Sequence, residues 1–232
     1  MSNSETNTAI EERLHDVKQR IKDASKLAPN SQAVTLVAVS KRHPLSSIEA
    51  AYECGQRDFG ENYLQEALEK ISALEEKDIC WHFIGPIQSN KTRAIAENFD
   101  WVHTVDRIKI AQRLNDQRPE HLPPLNVCIQ VNIDEEESKS GVAPEDCAQL
   151  AREIANFPHL RLRGLMAIPA KSLFGEQSPF ARMQQLFQTL GKRRDDSWDT
   201  LSMGMSADLE DAIANGANIV RIGTDIFGPR DS

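Results

Sequence analysis

The sequence predicts a single-domain (β/α)8 barrel, also called a TIM barrel, with one extra helix at its N-terminus. Short apolar or β-branched runs alternate with helical patterns eight times along the 232 residues. That alternation is typical of a parallel sheet whose strands are joined by helices, and the length suits one compact barrel. A doubly wound open sheet is the alternative, but residues 40–44 lack the glycine-rich turn that such sheets use after their first strand.

The extra helix lies in the segment before the first strand. Residues 1–8 are rich in Ser, Asn and Thr and are predicted to be disordered, so the barrel domain is assigned to residues 9–232. Apolar side chains then recur at helical spacing among charged residues, which predicts an amphipathic helix that ends near residues 29–31. Its apolar positions are Ile10, Leu14, Val17, Ile21 and Leu27.

Strands and helices alternate through the rest of the chain. Strands are predicted over residues 35–39, 58–60, 80–84, 101–105, 125–131, 160–168, 200–203 and 219–222. Helices are predicted over residues 46–54, 63–74, 89–98, 107–116, 144–156, 180–193 and 207–215. Residues at their ends fit these bounds: Ser46 or Ser47 suits an N-cap, Pro144 a first turn and Gly216 a helix stop.

Composition excludes several function classes. The formal net charge of −8 argues against general binding to nucleic acid, and no apolar run has the length of a membrane span. The N-terminus lacks the pattern of a secretory signal. The four cysteines are scattered, as is typical of reduced thiols in a cytoplasmic protein. The six histidines lack metal-binding spacing, so we predict no metal site.

Lys41 is the first candidate for a functional residue. It follows the first strand and shares a strand face with Val37 and Val39, because side chains alternate along a strand. Most lysines in such a place are solvated, so Lys41 belongs to a site only if other loops build a pocket over it. Functional sites of these barrels form at the C-terminal ends of the strands, which is where Lys41 lies.

The segments after strands seven and eight indicate a phosphate site. Loops at these two positions often bind phosphate groups. Gly204 would let the backbone approach a ligand, and Ser206 would cap a helix that starts at residue 207. Gly223 and Thr224 add an amide and a hydroxyl from the neighbouring strand. Each segment alone suits ordinary capping and turn formation, but the two together favour phosphate.

Arg221 is another candidate binding residue and indicates further chemical groups of the ligand. It shares a strand face with Gly223, so its side chain is predicted to enter the barrel mouth; the alternative is a structural salt bridge to Glu61 or Asp225. A lysine, a phosphate site nearly opposite and an inward arginine favour a ligand with an aldehyde and a phosphate, pyridoxal 5′-phosphate. An arginine partner would keep the ring nitrogen of this cofactor unprotonated.

Several longer motifs run from the first strand to the C-terminus. They are Leu36-Val-Ala-Val-Ser-Lys41, Phe59-Gly-Glu-Asn-Tyr63, Trp81-His-Phe-Ile-Gly85 with Gln88-Ser-Asn-Lys91, Val131-Asn-Ile133 with Ser138-Lys-Ser-Gly141, Arg163-Gly-Leu-Met166, Ser202-Met-Gly-Met-Ser206, and Val220-Arg-Ile-Gly-Thr224 with Ile226-Phe-Gly228. In these motifs the sequence resembles the pyridoxal phosphate homeostasis proteins, the YggS/PROSC family. That family is related to the N-terminal barrel of alanine racemase, so the resemblance implies the same barrel fold.

The resemblance implies specific roles at a cofactor site. Lys41 would carry the cofactor aldehyde covalently as a Schiff base, an internal aldimine. Arg221 would lie at the pyridine nitrogen and Asn62 near the ring, and three loop residues would bind the phosphate. The cofactor-binding residues implied in this way are Lys41, Asn62, Ser206, Arg221, Gly223 and Thr224.

The resemblance also implies binding without established turnover. Proteins of this family hold pyridoxal phosphate, take part in its intracellular homeostasis and are thought to deliver it to apo-enzymes. The alternative is a weak amino-acid racemase or another enzyme that uses this cofactor. Alanine racemase draws a second acid–base tyrosine and a dimer contact from a C-terminal β-domain. This chain ends soon after strand eight, and only Tyr63 is predicted near the mouth, so we expect a non-enzymatic monomer.

The loop after strand five is expected to overhang the barrel mouth. The glutamates of the acidic segment, residues 134–137, suit a solvated turn. Lys139 adds a second amine on a loop that is able to move. We hypothesise that Lys139 transiently accepts the aldehyde or screens the phosphate as the cofactor leaves, an effect that salt would weaken.

Overall fold

The computed structural model describes residues 3–28, 33–136, 139–170, 177–192 and 197–229, with side chains from residue 7 onward. Eight parallel strands close into one barrel in the order β1 to β8, and β8 pairs with β1. This confirms the predicted (β/α)8 barrel. No helix in the described ranges is both long and apolar enough to cross a membrane.

The elements alternate along the chain as the sequence predicts. The strands are β1 Thr35–Val39, β2 Asp58–Glu61, β3 Cys80–Phe83, β4 Trp101–Val105, β5 Leu125–Gln130, β6 Leu160–Met166, β7 Thr200–Ser202 and β8 Ile219–Ile222. The α-helices are α1 Asn3–Leu27, α2 Leu45–Glu53, α3 Leu64–Ala73, α4 Thr92–Asn98, α5 Ile108–Gln117, α6 Cys147–Ile154, α7 Pro179–Gly191, α8 Leu209–Ala214 and α9 Thr224–Phe227. Single 3₁₀ turns, Ser89–Lys91 and Pro144–Asp146, lead into α4 and α6. The short helix α9 was not predicted, because four residues are too few for helical periodicity to be visible.

The N-terminal helix differs from its prediction at both ends. α1 begins at Asn3, whereas the sequence predicts disorder through residue 8; Asn, Ser and Glu in this segment are residues favoured in a helix cap or first turn. Leu27 is 88% exposed, and Ala24 and Ala28 continue the buried face. A step from Ile21 to Leu27 at 3.6 residues per turn leads to the far side of the helix. The predicted helix stop at residues 29–31 lies outside the described residues.

The barrel strands are buried on both faces, as a closed parallel sheet surrounded by helices requires. Val37 and Ala38 are neighbours that point to opposite faces, and neither is exposed to solvent. Val37 is aligned with Arg221 across the β1–β8 pairing. This closure brings the loop after β1 beside the loops after β8 and β7, so Lys41 and the predicted phosphate loops are neighbours and do not lie on opposite sides of the barrel.

Candidate functional site

A cavity of about 300 Å³ opens at the C-terminal ends of the strands. Its lining contains all of the residues predicted to bind the cofactor: Lys41, Asn62, Ser206, Arg221, Gly223 and Thr224. The rest of the lining was not singled out from the sequence and consists of Val39, His43, Ile84, Ile168, Met205 and Ala207. The cavity therefore combines an amine, a guanidinium group and two hydroxyls with an apolar wall, and its volume lies in the range typical of small-molecule sites.

A buried charged cluster holds the backbone next to Lys41. Ser40 is fully buried and donates from Oγ to Glu61 Oε1 at 2.6 Å. Lys70 Nζ, from α3, donates to the Ser40 carbonyl at 2.8 Å and to Glu61 Oε1 at 2.7 Å. Lys70 also donates to Glu66 at 2.6 Å. We call Ser40, Glu61 and Lys70 the lysine brace, because together they fix the chain at the end of β1.

Opposing effects act on the carboxyl group of the lysine brace. Burial raises the pKa of Glu61; the charge of Lys70 and hydrogen bonds from Lys70 and Ser40 lower it, and burial prevails. Glu61 is fully buried, and within the described chain its Oε2 has no hydrogen-bond partner. Because removing one member of a buried ion pair leaves an uncompensated charge, the lysine brace depends on Lys70. Nothing in the sequence distinguishes Lys70 from other helix lysines.

The loop after β7 contributes Ser206 to the cavity, but not as a helix cap. α8 begins at Leu209, and Asp208 occupies its N-cap position without a side-chain capping bond. The predicted capping role of Ser206 is therefore wrong. Asp208 Oδ1 instead accepts a hydrogen bond from the Met205 amide at 2.6 Å, which closes a turn before the helix starts.

The two glycines of the predicted phosphate loops have different roles. Gly204 has a φ of +99°, and a Cβ at this position would lie 2.7 Å from the Cβ of Ala212. It lets α8 pack against the barrel and is absent from the cavity lining, so the structure supports a packing role, and its approach to a ligand stays a prediction. Gly223 does line the cavity, where an added Cβ would lie 3.2 Å from the Val39 carbonyl oxygen.

Arg20 of α1 ties the loops after β7 and β8 together. Its Nη2 donates to the Ser206 carbonyl at 2.9 Å, and its Nη1 donates to Asp225 Oδ2 at 2.7 Å. Its Nε donates to Glu210 Oε1 at 2.7 Å, and this bond is the main reason that the pKa of Glu210 is lowered. The sequence gives no sign of this role, because Arg20 lies on the polar face of an amphipathic helix and contacts a segment 186 residues away.

Arg221 enters the cavity from β8 and is only 4% exposed. Its Nη1 donates to Ser202 Oγ at 2.6 Å and its Nη2 to the Ala167 carbonyl at 2.9 Å. Burial lowers the pKa of Arg221 to about 10, which leaves the guanidinium charged at neutral pH. The alternative of a salt bridge to Glu61 or Asp225 is wrong, because both carboxylates pair with other cations.

Asn62 supplies a polar group that lacks a partner. It follows β2 and lines the cavity, and among the described residues its buried Oδ1 makes no hydrogen bond. Gly85 packs so closely on the Asn62 backbone that a Cβ at Gly85 would collide with the Asn62 carbonyl. Buried polar groups are rarely left unpaired. A ligand that offers a hydrogen-bond donor at this wall of the cavity would satisfy the Asn62 amide.

The loop after β5 is tied to the elements beside it through Asp134. This carboxylate accepts hydrogen bonds from the Ala170 amide at 2.6 Å, from Lys139 Nζ at 3.1 Å and from Arg182 Nη2 at 2.9 Å. Burial acts to raise the pKa of Asp134, but these bonds outweigh burial and lower it. Lys139 therefore lies in a salt bridge within its own loop, and its contact with a cofactor stays a prediction.

A second group of side chains, which are able to ligate a metal ion, lies toward the opposite end of the barrel. Asp58, Cys80 and His82 place their possible ligand atoms within 4.8 Å of one another. Asp58 and Cys80 are aligned partners in β2 and β3. Motif spacing, on which the prediction of no metal site rests, does not detect side chains that converge from neighbouring strands. Burial raises the pKa of Cys80, so the thiol keeps its proton at neutral pH.

The chain is similar to known proteins along nearly its whole length. The alanine racemase N-terminal domain family matches residues 13–231. A pyridoxal phosphate homeostasis protein of Pseudomonas aeruginosa is 55% identical over 227 residues, which cover 97% of each chain. This chain belongs to the pyridoxal phosphate homeostasis protein family. A member of the family from Escherichia coli is 52% identical over 227 residues, 96% of this chain and 97% of the other.

Solved structures support the family and the fold. PipY of Synechococcus elongatus, whose structure has pyridoxal phosphate bound, is 36% identical with a TM-score of 0.81 and covers 94% of this chain and 100% of its own. Alanine racemase of Corynebacterium glutamicum has a TM-score of 0.70 but is 16% identical, and the match covers 97% of this chain and 62% of the racemase. That likeness shows the fold alone.

Proposed function

We propose that this protein binds pyridoxal 5′-phosphate, holds it covalently on Lys41 and serves the intracellular homeostasis of this cofactor. The observation that carries the proposal is that one cavity is lined by all of the predicted binding residues. Membership in the family, whose relatives are named for pyridoxal phosphate homeostasis, supports it independently. The PipY structure supports the same ligand in the same fold.

The cavity residues fit the chemical groups of this cofactor. When bound, pyridoxal phosphate supplies an aldehyde that condenses with a primary amine, and Lys41 provides that amine beside the rigid lysine brace. Arg221 stays protonated and donates to the ring nitrogen, which therefore keeps its lone pair. The unpaired amide of Asn62 meets a polar substituent of the ring. Ser206 and Thr224 donate to the phosphate through their hydroxyls.

We further propose that the protein stores and delivers the cofactor without turnover. Two-base racemisation needs an acid–base group across from the lysine. Tyr63 is 45% exposed and is absent from the lining. Of the described lining residues, His43 is the one further side chain with suitable acid–base chemistry. A weak racemase that uses His43 is the alternative from a different functional class.

Absorbance titration tests the binding proposal. Purified protein titrated with pyridoxal phosphate should develop a visible or near-ultraviolet band, and Lys41→Ala should lose it while keeping the parent melting temperature. Pyridoxal, which lacks the phosphate, should bind far more weakly than its phosphate ester. Equal affinity of the parent protein for the two ligands would contradict the phosphate assignment.

Two assays separate the carrier from the enzyme. The loaded protein should transfer cofactor to an apo-transaminase and should not racemise amino acids. Racemisation that is lost in His43→Phe, with cofactor binding intact, would favour the enzyme.

In the transfer assay Lys139→Ala should slow release of the cofactor relative to Lys109→Ala, which removes an exposed lysine from α5. Equal transfer rates would leave Lys139 as an ordinary salt-bridge residue.

We also propose a cytoplasmic monomer that binds neither membranes nor nucleic acid. The described part of the chain exposes five large apolar residues, and two of them belong to the cavity lining. They are Leu27, Tyr63, Ile108, Ile168 and Met205. Exposure of so few large apolar side chains, two of them at the cavity, favours a monomer, and sedimentation of the loaded protein would test the oligomeric state.

A further inference from the structure

A continuous line of short contacts runs through the barrel from Arg221 toward the N-terminal end of the strands. Arg221 Nη1 donates to Ser202 Oγ at 2.6 Å. Ser202 Oγ lies 2.8 Å from His103 Nδ1, and His103 Nε2 lies 2.9 Å from His82 Nδ1. His82 Nε2 lies 3.0 Å from Asp58 Oδ1. The binding reaction proposed above uses only the first of these five residues.

The donor and acceptor roles of the end residues determine which atom donates in each contact of the line. The Asp58 carboxylate only accepts and the Arg221 guanidinium only donates, so both ends of the line are fixed. With neutral rings between them, the Ser202 hydroxyl accepts from Arg221 and donates to His103 Nδ1. His103 then carries its proton on Nε2 and donates to His82 Nδ1. His82 in turn donates from Nε2 to the Asp58 carboxylate. In this arrangement each of the four contacts pairs one donor with one acceptor, and both rings carry a single proton on Nε2.

Burial favours the neutral rings of this hydrogen-bond arrangement. His82 is 1% exposed, and His103 and Ser202 are fully buried. Burial is the main reason that the pKa of His103 lies well below its usual value, and the charge of Arg221 acts in the same direction, so the ring is neutral at neutral pH. Trp101 stacks on His82 with ring centroids 5.6 Å apart and planes at 13°. Asp58 is the exception, because 31% of its side chain is exposed.

These side chains occupy positions that other barrels fill with Val, Ile or Leu. Buried polar networks are costly unless every member is satisfied, and a satisfied network polarises along its length. A negative charge at Asp58 draws each proton of the line toward itself. It thereby makes Ser202 Oγ a stronger acceptor for the Arg221 guanidinium at the other end.

We propose that Ser202, His103, His82 and Asp58 form a positioning relay that orients Arg221 and couples the charge of Asp58 to the ring of the bound cofactor. The proposal rests on the proposed function in one respect, that the cofactor ring lies at Arg221. The relay residues themselves touch neither the cofactor nor the reacting atoms. They act on the cofactor through Arg221.

The thiol of Cys80 lies 3.4 Å from His82 Nε2, so a metal ion held by Asp58, Cys80 and His82 is the competing use of this end. A metal on Nε2 would displace the proton that the relay needs there. His82 would then be protonated on Nδ1, His103 would accept on Nε2 and donate from Nδ1, and the Ser202 hydroxyl would lose its acceptor. Adding zinc or a chelator therefore discriminates between relay and metal site through the ring tautomers.

Nitrogen NMR of the histidine side chains tests the relay without any cofactor. In the unliganded protein with chelator present, His82 and His103 should both be neutral and protonated on Nε2. Asp58→Asn keeps a hydrogen-bond acceptor but removes the charge, and it should shift the resonances of both rings. Asp78→Asn is the matched control, since it removes an exposed carboxylate just before β3, off the relay, and should shift neither.

The loaded protein gives the second readout. Ser202→Ala should accelerate loss of pyridoxal phosphate by roughly tenfold or more, because one hydrogen bond to a charged group is lost. Thr200→Val removes a buried hydroxyl from the same face of β7 and should leave retention unchanged. Asp58→Asn should shift the absorbance maximum of the bound cofactor and alter retention by about twofold or more at an unchanged melting temperature.

The results separate the relay from the proposed function. A parent protein that fails to bind pyridoxal phosphate would overturn the proposed function, while the NMR comparison would still decide the relay. Unchanged ring resonances in Asp58→Asn, or both rings protonated on Nδ1 in the presence of chelator, would overturn the relay. So would a parent that binds the cofactor while Asp58→Asn and Ser202→Ala match Asp78→Asn and Thr200→Val in spectrum and retention.

Discussion

The two sides of the cavity are held in place by different physics. On the lysine side, the lysine brace is buried, and Lys70 and Glu61 expose 7% and 0% of their side chains. On the side proposed to bind the phosphate, which we call the phosphate side, Arg20 bridges the loops after β7 and β8. Arg20 and its partners Glu210 and Asp225 expose about a third to a half of their side chains. The degree of burial determines how much each set of ion pairs contributes to stability.

The difference in burial predicts which substitutions affect folding and which affect ligand binding. Charges removed from water depend strongly on their partners, because nothing else solvates them. Exposed charges are screened and already hydrated, so the loss of one partner costs little. Changes on the lysine side should therefore act on folding, whereas changes on the phosphate side should act on ligand retention with the fold intact.

Removing Lys70 should have the largest effect on folding. Lys70→Met leaves the carboxyl group of Glu61 buried without its counter-ion, so the free energy of unfolding should fall by about 3–5 kcal/mol. Urea denaturation measures this. Lys77→Met is the control, because its pair with Glu53 is exposed and should be worth no more than about 1 kcal/mol. Equal small losses in both variants would remove the distinction between the two sides.

The cost of removing Lys70 should also depend on pH. Well below its usual pKa of 4.5, Glu61 is protonated in the folded and unfolded states, so a missing Lys70 matters least there. Above that pH the unfolded chain releases the proton, while the buried carboxyl of Lys70→Met, with its pKa raised further, retains it. The folded state then binds more protons, so stability falls as pH rises, and the gap to the parent should widen between about pH 4 and pH 7. A gap that narrows over this range would contradict the sign.

Ser206→Ala tests the phosphate side at the ligand itself. It should weaken pyridoxal phosphate binding by about 1.5–3 kcal/mol, because a hydrogen bond to a charged group is lost. The melting temperature of the unliganded protein should stay unchanged. Pyridoxal provides the internal control, since the parent and the variant should bind it equally. A similar loss with both ligands would remove Ser206 from the phosphate site.

Arg20→Met should give the smallest effect. Its ion pairs are half-exposed, so stability should change by no more than about 1 kcal/mol. Retention of pyridoxal phosphate should fall measurably, because Arg20 holds the Ser206 carbonyl and Asp225 together, and the deficit should shrink as salt screens the parent's charge. Lys22→Met, which removes one exposed charge from the same helix, should change neither quantity.

The sequence predicted what depends on local pattern. Strand and helix periodicity was enough for the barrel, and strands such as 35–39 and 219–222 have the predicted bounds. The sequence predicted that Lys41, Arg221 and Thr224 lie in one cavity because they are in or just after strands, and the barrel gathers strand ends in one place.

What the sequence missed depends on tertiary packing. Arg20 and Lys70 look like ordinary charged residues on helix surfaces, and only the fold brings them to the cavity loops. Gly204 was assigned to ligand approach, but its neighbour in space is Ala212. His82 and His103 lie on separate strands with no shared motif, so their contact appears only once the strand register is known.

The central claim is that Lys41 holds pyridoxal phosphate covalently, and borohydride reduction tests it most directly. Reduction of the loaded protein should fix the cofactor irreversibly, and peptide mapping should place the added mass on Lys41. Lys41→Ala should take up no label at the cavity under the same conditions. Labelling of another lysine in the parent protein, with Lys41 unmodified, would contradict the account.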